Sequence, residues 1–296
     1  MVPVYDGAGT IGDALESVLS QQPPPLEVIV SDDGSRDDLG RALGPFASRV
    51  HVVRGPNAGP GVARNRAAAT ASGDLLALLD ADDVWLPGRL QALSAVATAR
   101  PDLDVLTTDA VVHRGGVRTA TSYYDTRSFE VADQVDAILR ESFVFGAGAV
   151  RLPAFRAVGG YSATNRIAED WDLWLRLLLT GSRAGLVRAP LYEYRRRGES
   201  ITGQKVDLAL GVLQVLGSVR ALVRDPAHRE TLRATEQRWR EQAARAAVLT
   251  QDPRRRRLAA RAAVTRGTPL RIRVLLAGAA VAPSRMLAWK RTAAPS

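Results

Sequence analysis

The stretch Leu75-Leu76-Ala77-Leu78-Leu79-Asp80-Ala81-Asp82-Asp83 joins an apolar run to a cluster of aspartates. An apolar run of this length, followed by turn-forming residues, is typical of a buried β-strand. In an open α/β sheet, ligands bind at the carboxyl edge of the strands, which is where these acids lie. An Asp-x-Asp pair at such an edge suits a hard divalent cation shared with a phosphorylated ligand. A solvated turn that caps the next helix is the alternative for this segment taken by itself.

The residues before this stretch alternate between short apolar runs and helical patterns. The strand-like runs cover residues 2–5, 26–30, 50–53 and 75–79, and the helical patterns cover residues 11–22, 37–46 and 61–72. This alternation predicts an α/β fold of Rossmann-like type, with a mainly parallel sheet flanked by helices. Thr10 and Asp13 resemble a capping box at the start of the first helix.

Two further segments place polar groups near the same edge of the predicted sheet. The second strand ends in Ser31-Asp32-Asp33-Gly34. Its carboxylates can accept hydrogen bonds from a nucleobase or a ribose, or they can cap a helix. The next segment, Asn57-Ala-Gly59-Pro-Gly61-Val-Ala-Arg64, is a glycine-rich turn that enters a helix. Amides at a helix start and the Arg64 guanidinium suit a diphosphate, and an ordinary loop is the alternative.

A second acidic pair opens a helix further along the chain. Four apolar residues follow the spacing i, i+3, i+4, i+7 of a helix with one buried face: Trp171, Trp174, Leu175 and Leu178. Gly181 is suited to end this helix. Glu169 and Asp170 therefore fall in its first turn, close to whatever the sheet edge binds. Acids that only complement the helix dipole are the alternative.

Composition and charge divide the chain into two parts. The 296 residues are 46% hydrophobic, which is enough for a globular core, and none is a cysteine. The lack of cysteine excludes disulfides, thiolate zinc sites and a cysteine nucleophile. Residues 1–202 carry 21 basic and 25 acidic side chains, a net charge of −4, whereas residues 203–296 carry 19 and 6, a net charge of +13. We therefore predict two domains, 1–202 and 203–296, of which the second is basic and helical.

The basic region allows several interpretations. No secretion signal and no apolar run of bilayer length are visible, which predicts a cytoplasmic protein. The arginines and apolar stripes of this region end in Met286-Leu287-Ala-Trp289-Lys290, a pattern typical of an interfacial helix. Peripheral contact with the inner face of the plasma membrane is one interpretation, and an ordinary helical appendage is the other. A module that binds nucleic acid is not expected, because only Trp239 and Trp289 are available there to stack on bases.

Taken in order, these segments resemble the family 2 glycosyltransferases, which have the GT-A fold. The resemblance covers residues 2–202, and its main elements are Val2-Pro3-Val4-Tyr5-Asp6, Glu27-Val-Ile-Val-Ser-Asp32-Asp33-Gly34-Ser35, Gly61-Val-Ala-Arg64-Asn65, Leu79-Asp80-Ala81-Asp82-Asp83, Gly159-Gly160-Tyr161 and Glu169-Asp170-Trp171-Asp172. It implies inverting transfer of a sugar from a nucleoside diphosphate donor, most often a UDP-sugar, to an acceptor hydroxyl. The expected setting is cell-envelope, polysaccharide or glycoconjugate synthesis, and the acceptor itself stays open between a polysaccharide, a lipid-linked glycan, a small molecule and a protein.

The resemblance also assigns residues to the nucleotide. Tyr5 is implied to stack on the base and Asp33 to bind the base imide. Pro3, Asp6 and Asp32 lie beside them in the same motifs.

A second group of residues is assigned to the diphosphate, the metal and the proton transfer. Asp80 and Ala81 are implied to line the diphosphate, and Asp80 and Asp82 to ligate Mg²⁺ or Mn²⁺. Asp170 matches the catalytic base of the family, and Glu169 is the alternative base.

The chain departs from the family pattern after the catalytic helix. Many relatives carry a histidine where this chain has Arg197, and a guanidinium cannot ligate a cation, so Arg197 is expected to bind the diphosphate directly. A sugar-phosphate nucleotidyltransferase is the alternative enzyme, although the loop at residues 6–10 lacks the basic residue expected there. A non-catalytic module that binds anionic partners through its basic tail is the alternative outside enzymes.

Overall fold

The computed structural model describes residues 1–129, 132–196 and 205–264, together with residues 274, 277, 278, 280 and 281. The chain divides into two compact units, Met1–Gly198 and Glu199–Ser296. This division lies near the predicted boundary at residue 203, and the assignment of catalysis to residues 1–202 stays a prediction. Arg197 lies outside the described residues.

Strands and helices alternate through the first part of the first unit. The order is β1 (Val2–Val4), α1 (Ile11–Leu19), β2 (Ile29–Asp32), α2 (Leu39–Leu43), β3 (His51–Arg54), α3 (Pro60–Thr70) and β4 (Leu75–Ala77), with a 3-10 turn at Gly44–Phe46. The predicted capping box is wrong, because the Thr10 side chain does not cap α1. Its hydroxyl donates to the Gly7 carbonyl at 3.4 Å instead.

The remainder of the unit mixes strands, a hairpin and helices. It contains β5 (Val84–Trp85), α4 (Arg89–Ala99), β6 (Val105–Arg114), β7 (Val117–Ser122), α5 (Gln134–Arg140), β8 (Ala149–Arg151), α6 (Leu152–Ala157), α7 (Glu169–Leu179) and β9 (Ala184–Arg196). β6 and β7 form a hairpin because Gly115 and Gly116, with φ of +59° and +81°, allow the tight turn between them.

The strands form two sheets. One is parallel, in the order β1-β2-β3, with Val2 opposite Val30 and Ile29 opposite His51. The other has the order β4-β8-β6-β9-β5, with β7 paired to β6. In this second sheet only β6 and β9 run parallel among the described residues. The α/β fold class is confirmed, while the later strands pair mostly antiparallel. The β6–β7 turn shows why, since a parallel pair would need a long crossover connection.

Two backbone hydrogen bonds join the sheets. The amino group of Met1 donates to the Ala77 carbonyl at 2.8 Å, and the Leu79 N–H donates to the Met1 carbonyl at 3.1 Å. On the other side of β1, the Asp33 N–H donates to the Val4 carbonyl at 2.8 Å. The carboxyl ends of β1 and β2 and the loop after β4 therefore meet at one edge.

A buried arginine supports the centre of this unit. Arg89 is fully buried, and its guanidinium lies 4.8 Å from the Tyr192 ring centroid and 5.5 Å from that of Trp85. It donates to the Ala147 carbonyl at 2.6 Å and to the Thr108 hydroxyl. Burial lowers the pKa of Arg89 to about 10. Because Arg89 binds the Ala147 carbonyl, it fixes the backbone of the segment just after Gly146.

The apolar face predicted for the second acidic helix is confirmed. All four residues of the spacing pattern in α7 are buried: Trp171, Trp174, Leu175 and Leu178. The helix ends before Gly181, which has a φ of +105° that favours glycine. The buried face fixes the rotation of α7, and its first turn carries Glu169 and Asp170.

The second unit is helical in its described part. It contains α8 (Lys205–Ser218), α9 (Pro226–Leu249) and α10 (Arg255–Ala263). Asp225 caps α9 by accepting the Ala227 N–H at 2.7 Å. Alanines make the contact between α9 and α10: Ala244, Ala259, Ala262 and Ala263. Residues 205–264 carry 13 basic and 6 acidic side chains. Among the helices described, none has the length and apolar character needed to span a bilayer.

Candidate active site

The carboxyl end of β1 presents Tyr5 and Asp6. Tyr5 is 42% exposed, and the Arg36 guanidinium lies 5.4 Å from its ring centroid. Asp6 accepts the Arg36 N–H and one guanidinium N–H, each at 2.7 Å. These bonds hold the end of β1 against the loop after β2. The Tyr5 ring remains accessible, as a residue that stacks on a base must be.

Two buried acids end β2 and organise the neighbouring loops. Asp32 accepts the Ser35 N–H at 2.8 Å. Asp33 accepts the Gly59 N–H at 2.8 Å and the Ala58 N–H at 3.1 Å, and so fixes the glycine-rich turn before α3. Asp33 also accepts an Arg66 guanidinium N–H at 3.5 Å, so the described residues supply donors to both of its oxygens. The contact between Asp33 and a base imide stays a prediction.

The loop after β4 exposes two aspartates and buries the third. Asp83 accepts the Tyr192 hydroxyl at 2.8 Å and the Arg195 N–H at 2.7 Å, both from β9. Burial, with a contribution from the charge of Asp80, raises the pKa of Asp83 to about 8. Asp83 therefore anchors the loop, while the Asp80 side chain stays 37% exposed and Asp82 is partly exposed.

Arg64 connects the Asp80 loop to α7. Its guanidinium donates to Asp80 at 2.6 Å and to Glu169 at 2.9 Å, and it lies 5.3 Å from the centroid of the buried Tyr161 ring. Its Nε is buried and has no hydrogen-bond acceptor among the described residues. The sequence predicted that Arg64 binds the diphosphate. In the structure, Arg64 bridges two acids. A contact with the diphosphate stays a prediction.

Asp170 lies beside Glu169 but has a different environment. Its Oδ1 accepts the Trp171 N–H at 2.7 Å, and its Oδ2 faces Gly146, where an added Cβ would lie 2.5 Å from that oxygen. Burial raises the pKa of Asp170 to about 6, and the charge of Glu169 adds to the shift. Glu169 is ion-paired to Arg64. Asp170 is therefore the acid of this pair better suited to accept a proton near neutral pH.

The two exposed aspartates fit a divalent cation that is shared with a ligand. Among the described residues, no group of three or more His, Cys, Asp or Glu side chains could hold a metal by itself. Mg²⁺ commonly takes only one or two carboxylates, because phosphate oxygens and water complete its coordination. Asp80 binds Arg64 through Oδ1, and its Oδ2 accepts no hydrogen bond from the described residues. An oxygen therefore remains for a cation.

Pro3 and Ala81 have supporting positions. Pro3 lies buried within β1. Ala81 is 9% exposed, and a Cβ added at Gly7 would lie 3.8 Å from the Ala81 Cβ. The loop after β4 therefore packs against the turn between β1 and α1, which brings the base-side and diphosphate-side residues together.

Sequence reasoning missed three residues that shape the site: Tyr192, Gly146 and Tyr161. Tyr192 contacts Asp83 across 109 positions of sequence, and no local pattern signals such a contact. Gly146 lies in the glycine-rich apolar segment 143–150, where glycine itself was the signal for a close approach. Tyr161 belongs to the Gly159-Gly160-Tyr161 element of the resemblance, which gave it no role, whereas in the structure its ring lies against the Arg64 guanidinium.

Comparisons with curated proteins give glycosyltransferases. Succinoglycan biosynthesis protein ExoU of Rhizobium meliloti is 31% identical over 227 residues, which is 69% of this chain and 63% of that protein. The match therefore spans less than two thirds of ExoU. The putative teichuronic acid biosynthesis glycosyltransferase TuaG of Bacillus subtilis is 28% identical over 69% of this chain and 81% of that protein.

Comparisons with solved structures give the same fold. S. aureus TarS 1–349 is 19% identical with a TM-score of 0.71, over 98% of this chain and 90% of that chain. Mannosyltransferase PcManGT from Pyrobaculum calidifontis is 20% identical with a TM-score of 0.62, over 98% and 81%. Identity this low supports the fold alone. The family model for glycosyl transferase family 2 matches residues 1–157, which is more than half of the sequence. The expectation drawn from the motifs is thereby confirmed: the chain belongs to glycosyl transferase family 2 and is a glycosyltransferase with the GT-A fold.

Proposed function

We propose that this glycosyltransferase inverts the anomeric centre and takes its sugar from a UDP-linked donor, with Asp170 as the base. The observation that carries the proposal is the position of Asp170. It is a carboxylate with a raised pKa, placed against Gly146 and next to the Arg64 bridge to Asp80. The base is thereby tied to the acids expected to bind the donor.

The donor would occupy the edge where β1, β2 and the loop after β4 meet. Tyr5 would stack on the base and Asp33 would bind its imide, with Pro3, Asp6 and Asp32 in support. Asp80 and Ala81 would line the diphosphate. Solved structures of TarS include complexes with UDP-GlcNAc and UDP, and PcManGT was solved with GDP-Man and Mn²⁺. These neighbours favour a nucleoside diphosphate sugar, and the UDP form is our choice.

Asp80 and Asp82 would hold Mg²⁺ or Mn²⁺. When bound, the ion supplies positive charge to the diphosphate oxygens of the leaving group. Arg64 keeps Asp80 in place through its ion pair, and Asp83 holds the loop to β9.

The protein residues account for the proton. The acceptor oxygen attacks the anomeric carbon on the face opposite the diphosphate, and its proton passes to an Asp170 oxygen. The bond from the anomeric carbon to the diphosphate oxygen breaks, and its electron pair leaves with the nucleoside diphosphate. A single displacement of this kind inverts the configuration at carbon. Glu169 is the alternative base, and its ion pair with Arg64 makes it the weaker proton acceptor.

The family match favours glycosyl transfer over a nucleotidyltransferase. It covers residues 1–157, so the binding of anionic partners through the basic tail is a separate question. The positive charge of the second unit suits an anionic partner. We assign it to an anionic membrane surface, because arginine-rich helices are attracted to acidic lipid headgroups. Such a location suits an acceptor that is a lipid-linked or cell-envelope glycan, and the relatives named for succinoglycan and teichuronic acid agree with a polysaccharide product.

Calorimetric titration tests the donor site. UDP, dTDP and GDP are titrated into the protein with Mn²⁺ or with EDTA. We expect UDP to bind only with metal, and Asp82→Ala to abolish the metal-dependent part. Asp74→Ala is the matched control, because Asp74 is an exposed acid at the opposite end of the same strand. Failure of all three nucleotides to bind with Mn²⁺ present would contradict the donor site.

Vesicle flotation tests the membrane contact. The full chain should float with vesicles that contain phosphatidylglycerol and remain below with neutral phosphatidylcholine vesicles. Replacing Arg256 and Arg257, which are exposed on α10, by glutamate should abolish flotation. Equal flotation with both kinds of vesicle would contradict an electrostatic contact.

A further inference from the structure

A group of three aromatic side chains lies on the α7 side of the candidate active site. The Phe145 ring centroid is 4.8 Å from that of Tyr123 and 5.6 Å from that of Tyr194. We call Tyr123, Phe145 and Tyr194 the aromatic wall. Phe145 is buried, whereas Tyr123 and Tyr194 are partly exposed. The wall therefore has a buried support and two rings with surface available to a ligand.

The aromatic wall is close to the proposed base. Phe145 precedes Gly146, and Gly146 is the residue against which the Asp170 carboxylate packs. The Tyr123 ring packs on Phe145, the residue before Gly146, with 4.8 Å between the two ring centroids. A molecule resting on Tyr123 would lie within reach of the Asp170 carboxylate.

The backbone that carries Tyr123 is held rigidly. The buried Asp109 accepts the Tyr124 N–H at 3.0 Å and the Ser122 hydroxyl at 2.6 Å, so one carboxylate grips both neighbours of Tyr123. The Tyr124 side chain is buried, and its hydroxyl donates to the Phe143 carbonyl at 2.9 Å. The Tyr124 side chain thus lies in the core, whereas the side chain of its neighbour Tyr123 is partly exposed. The Tyr123 ring is preorganised and loses little entropy when a ligand binds.

An arginine lies over the partly exposed Tyr123 ring. The Arg127 guanidinium lies 4.2 Å from the Tyr123 ring centroid, and the residue is exposed. Among the described residues, no carboxylate lies within ion-pair distance of Arg127, and no buried network holds it. A long side chain of this kind can swing aside and offer up to five N–H donors. An aromatic face beside an exposed guanidinium suits a molecule that has one apolar face and many hydroxyl groups.

We propose that Tyr123 and Arg127 form the acceptor subsite, and that the subsite receives a pyranose ring of a glycan acceptor. The C–H face of the sugar packs on the Tyr123 ring, and Arg127 donates hydrogen bonds to its hydroxyl groups. The attacking hydroxyl then points to Asp170. The inference rests on the proposed function and names its acceptor class. The base of the donor is proposed to lie elsewhere, beside Tyr5 and Asp33 at the β1 and β2 edge of the site.

Saturation-transfer NMR with small glycosides tests the subsite. The probes are the methyl glycosides of glucose, galactose, N-acetylglucosamine and glucuronic acid, each at millimolar concentration, with and without UDP and Mn²⁺. We expect at least one probe to bind the wild type. Tyr123→Ala should raise its dissociation constant about tenfold, and Tyr123→Phe should not, because the ring supplies the contact.

Arg127→Ala tests the subsite independently, in case the Tyr123→Ala variant misfolds. Arg127 is exposed, so its removal should not affect folding. It should weaken the same probe several-fold, whereas Arg118→Ala, an exposed arginine on β7, should leave it unchanged. Failure of every probe to bind the wild type, or equal binding by the Tyr123→Ala and wild-type proteins, overturns the subsite. Loss of UDP binding in Tyr123→Ala also overturns it, since the residue would then serve the donor. Glycoside binding tests the acceptor subsite, and the nucleotide titration tests the donor site. A failure of either proposal can therefore be told from a failure of the other.

Discussion

Gly146→Ala probes the position of Asp170 without altering any titratable group. The added Cβ would lie 2.5 Å from the Asp170 Oδ2 atom. Carbon and oxygen atoms in contact are ordinarily about 3.3 to 3.6 Å apart, so the carboxylate must move by about 1 Å. Gly146 itself is held in place because Arg89 binds the carbonyl of the next residue, Ala147, at 2.6 Å. The movement therefore falls on Asp170.

A displacement of about 1 Å in a catalytic group can cost about 100-fold in rate, equivalent to about 2.7 kcal/mol in the transition state. We expect kcat to fall by about that factor while the Kd for the nucleotide stays unchanged, because the three heavy atoms nearest the added Cβ all belong to Asp170. The assay is release of nucleoside diphosphate from the donor sugar, measured beside calorimetric nucleotide binding. Thermal unfolding shows whether the variant is folded.

Two controls make the result specific to Asp170. Gly40→Ala adds the same methyl group on α2, where no atom lies within 4 Å of the added Cβ, and should leave the rate unchanged. In an Asp170→Asn background, Gly146→Ala should cost little further, because both changes disable one group. A folded Gly146→Ala variant with the wild-type rate would refute the reasoning, as would a full 100-fold loss added to Asp170→Asn.

Three further predictions concern the same acids. Asp170→Asn should lower kcat about 1000-fold and Glu169→Gln much less, because only Asp170 is proposed to take the proton. Steady-state rates of both variants measure this, and a larger loss in Glu169→Gln would make Glu169 the base. Since the pKa of Asp170 is raised to about 6 and the base must be ionised, log(kcat/KM) should fall with unit slope as the pH drops below about 6, and a profile flat down to pH 4.5 would contradict the assignment. Tyr192→Phe removes a donor from the buried Asp83 and should lower the free energy of unfolding by about 1 to 3 kcal/mol, as measured by urea denaturation; an unchanged midpoint would mean that the loop after β4 does not depend on this bond.

Local patterns predicted much of the architecture. The face of α7 was visible because Trp171 and Leu178 recur at helical spacing, and burial of that face fixes where Glu169 and Asp170 lie. The alternation of strands and helices predicted that the acids after β2 and β4 lie together at a sheet edge. In the structure β2 and β4 belong to different sheets, and the hydrogen bonds of Met1 and Val4 bring their carboxyl ends together.

Contacts between distant segments were not accessible in this way. Asp83 has the same side chain as Asp82 one position earlier, and only the approach of β9 makes it an anchor. The direction of Arg64 depends on the position of Glu169, which lies 105 residues further along the chain. Whether two strands of the second sheet pair parallel or antiparallel depends on the length and path of the connection between them. The apolar runs of the sequence do not indicate that path.

The bridge made by Arg64 bears on how such an enzyme could change its specificity. One guanidinium pairs with both Asp80 and Glu169, so a change at any of these three residues removes an ion-pair partner from at least one of the other two. Single substitutions among the residues proposed to bind the donor should therefore rarely yield a new donor specificity. At the aromatic wall, the charged neighbour of Tyr123 is Arg127, which is exposed, so exchange of that ring for another apolar side chain leaves no buried charge. Laboratory evolution toward new acceptors should find its first productive substitutions around Tyr123, while new donors should require paired changes around Arg64.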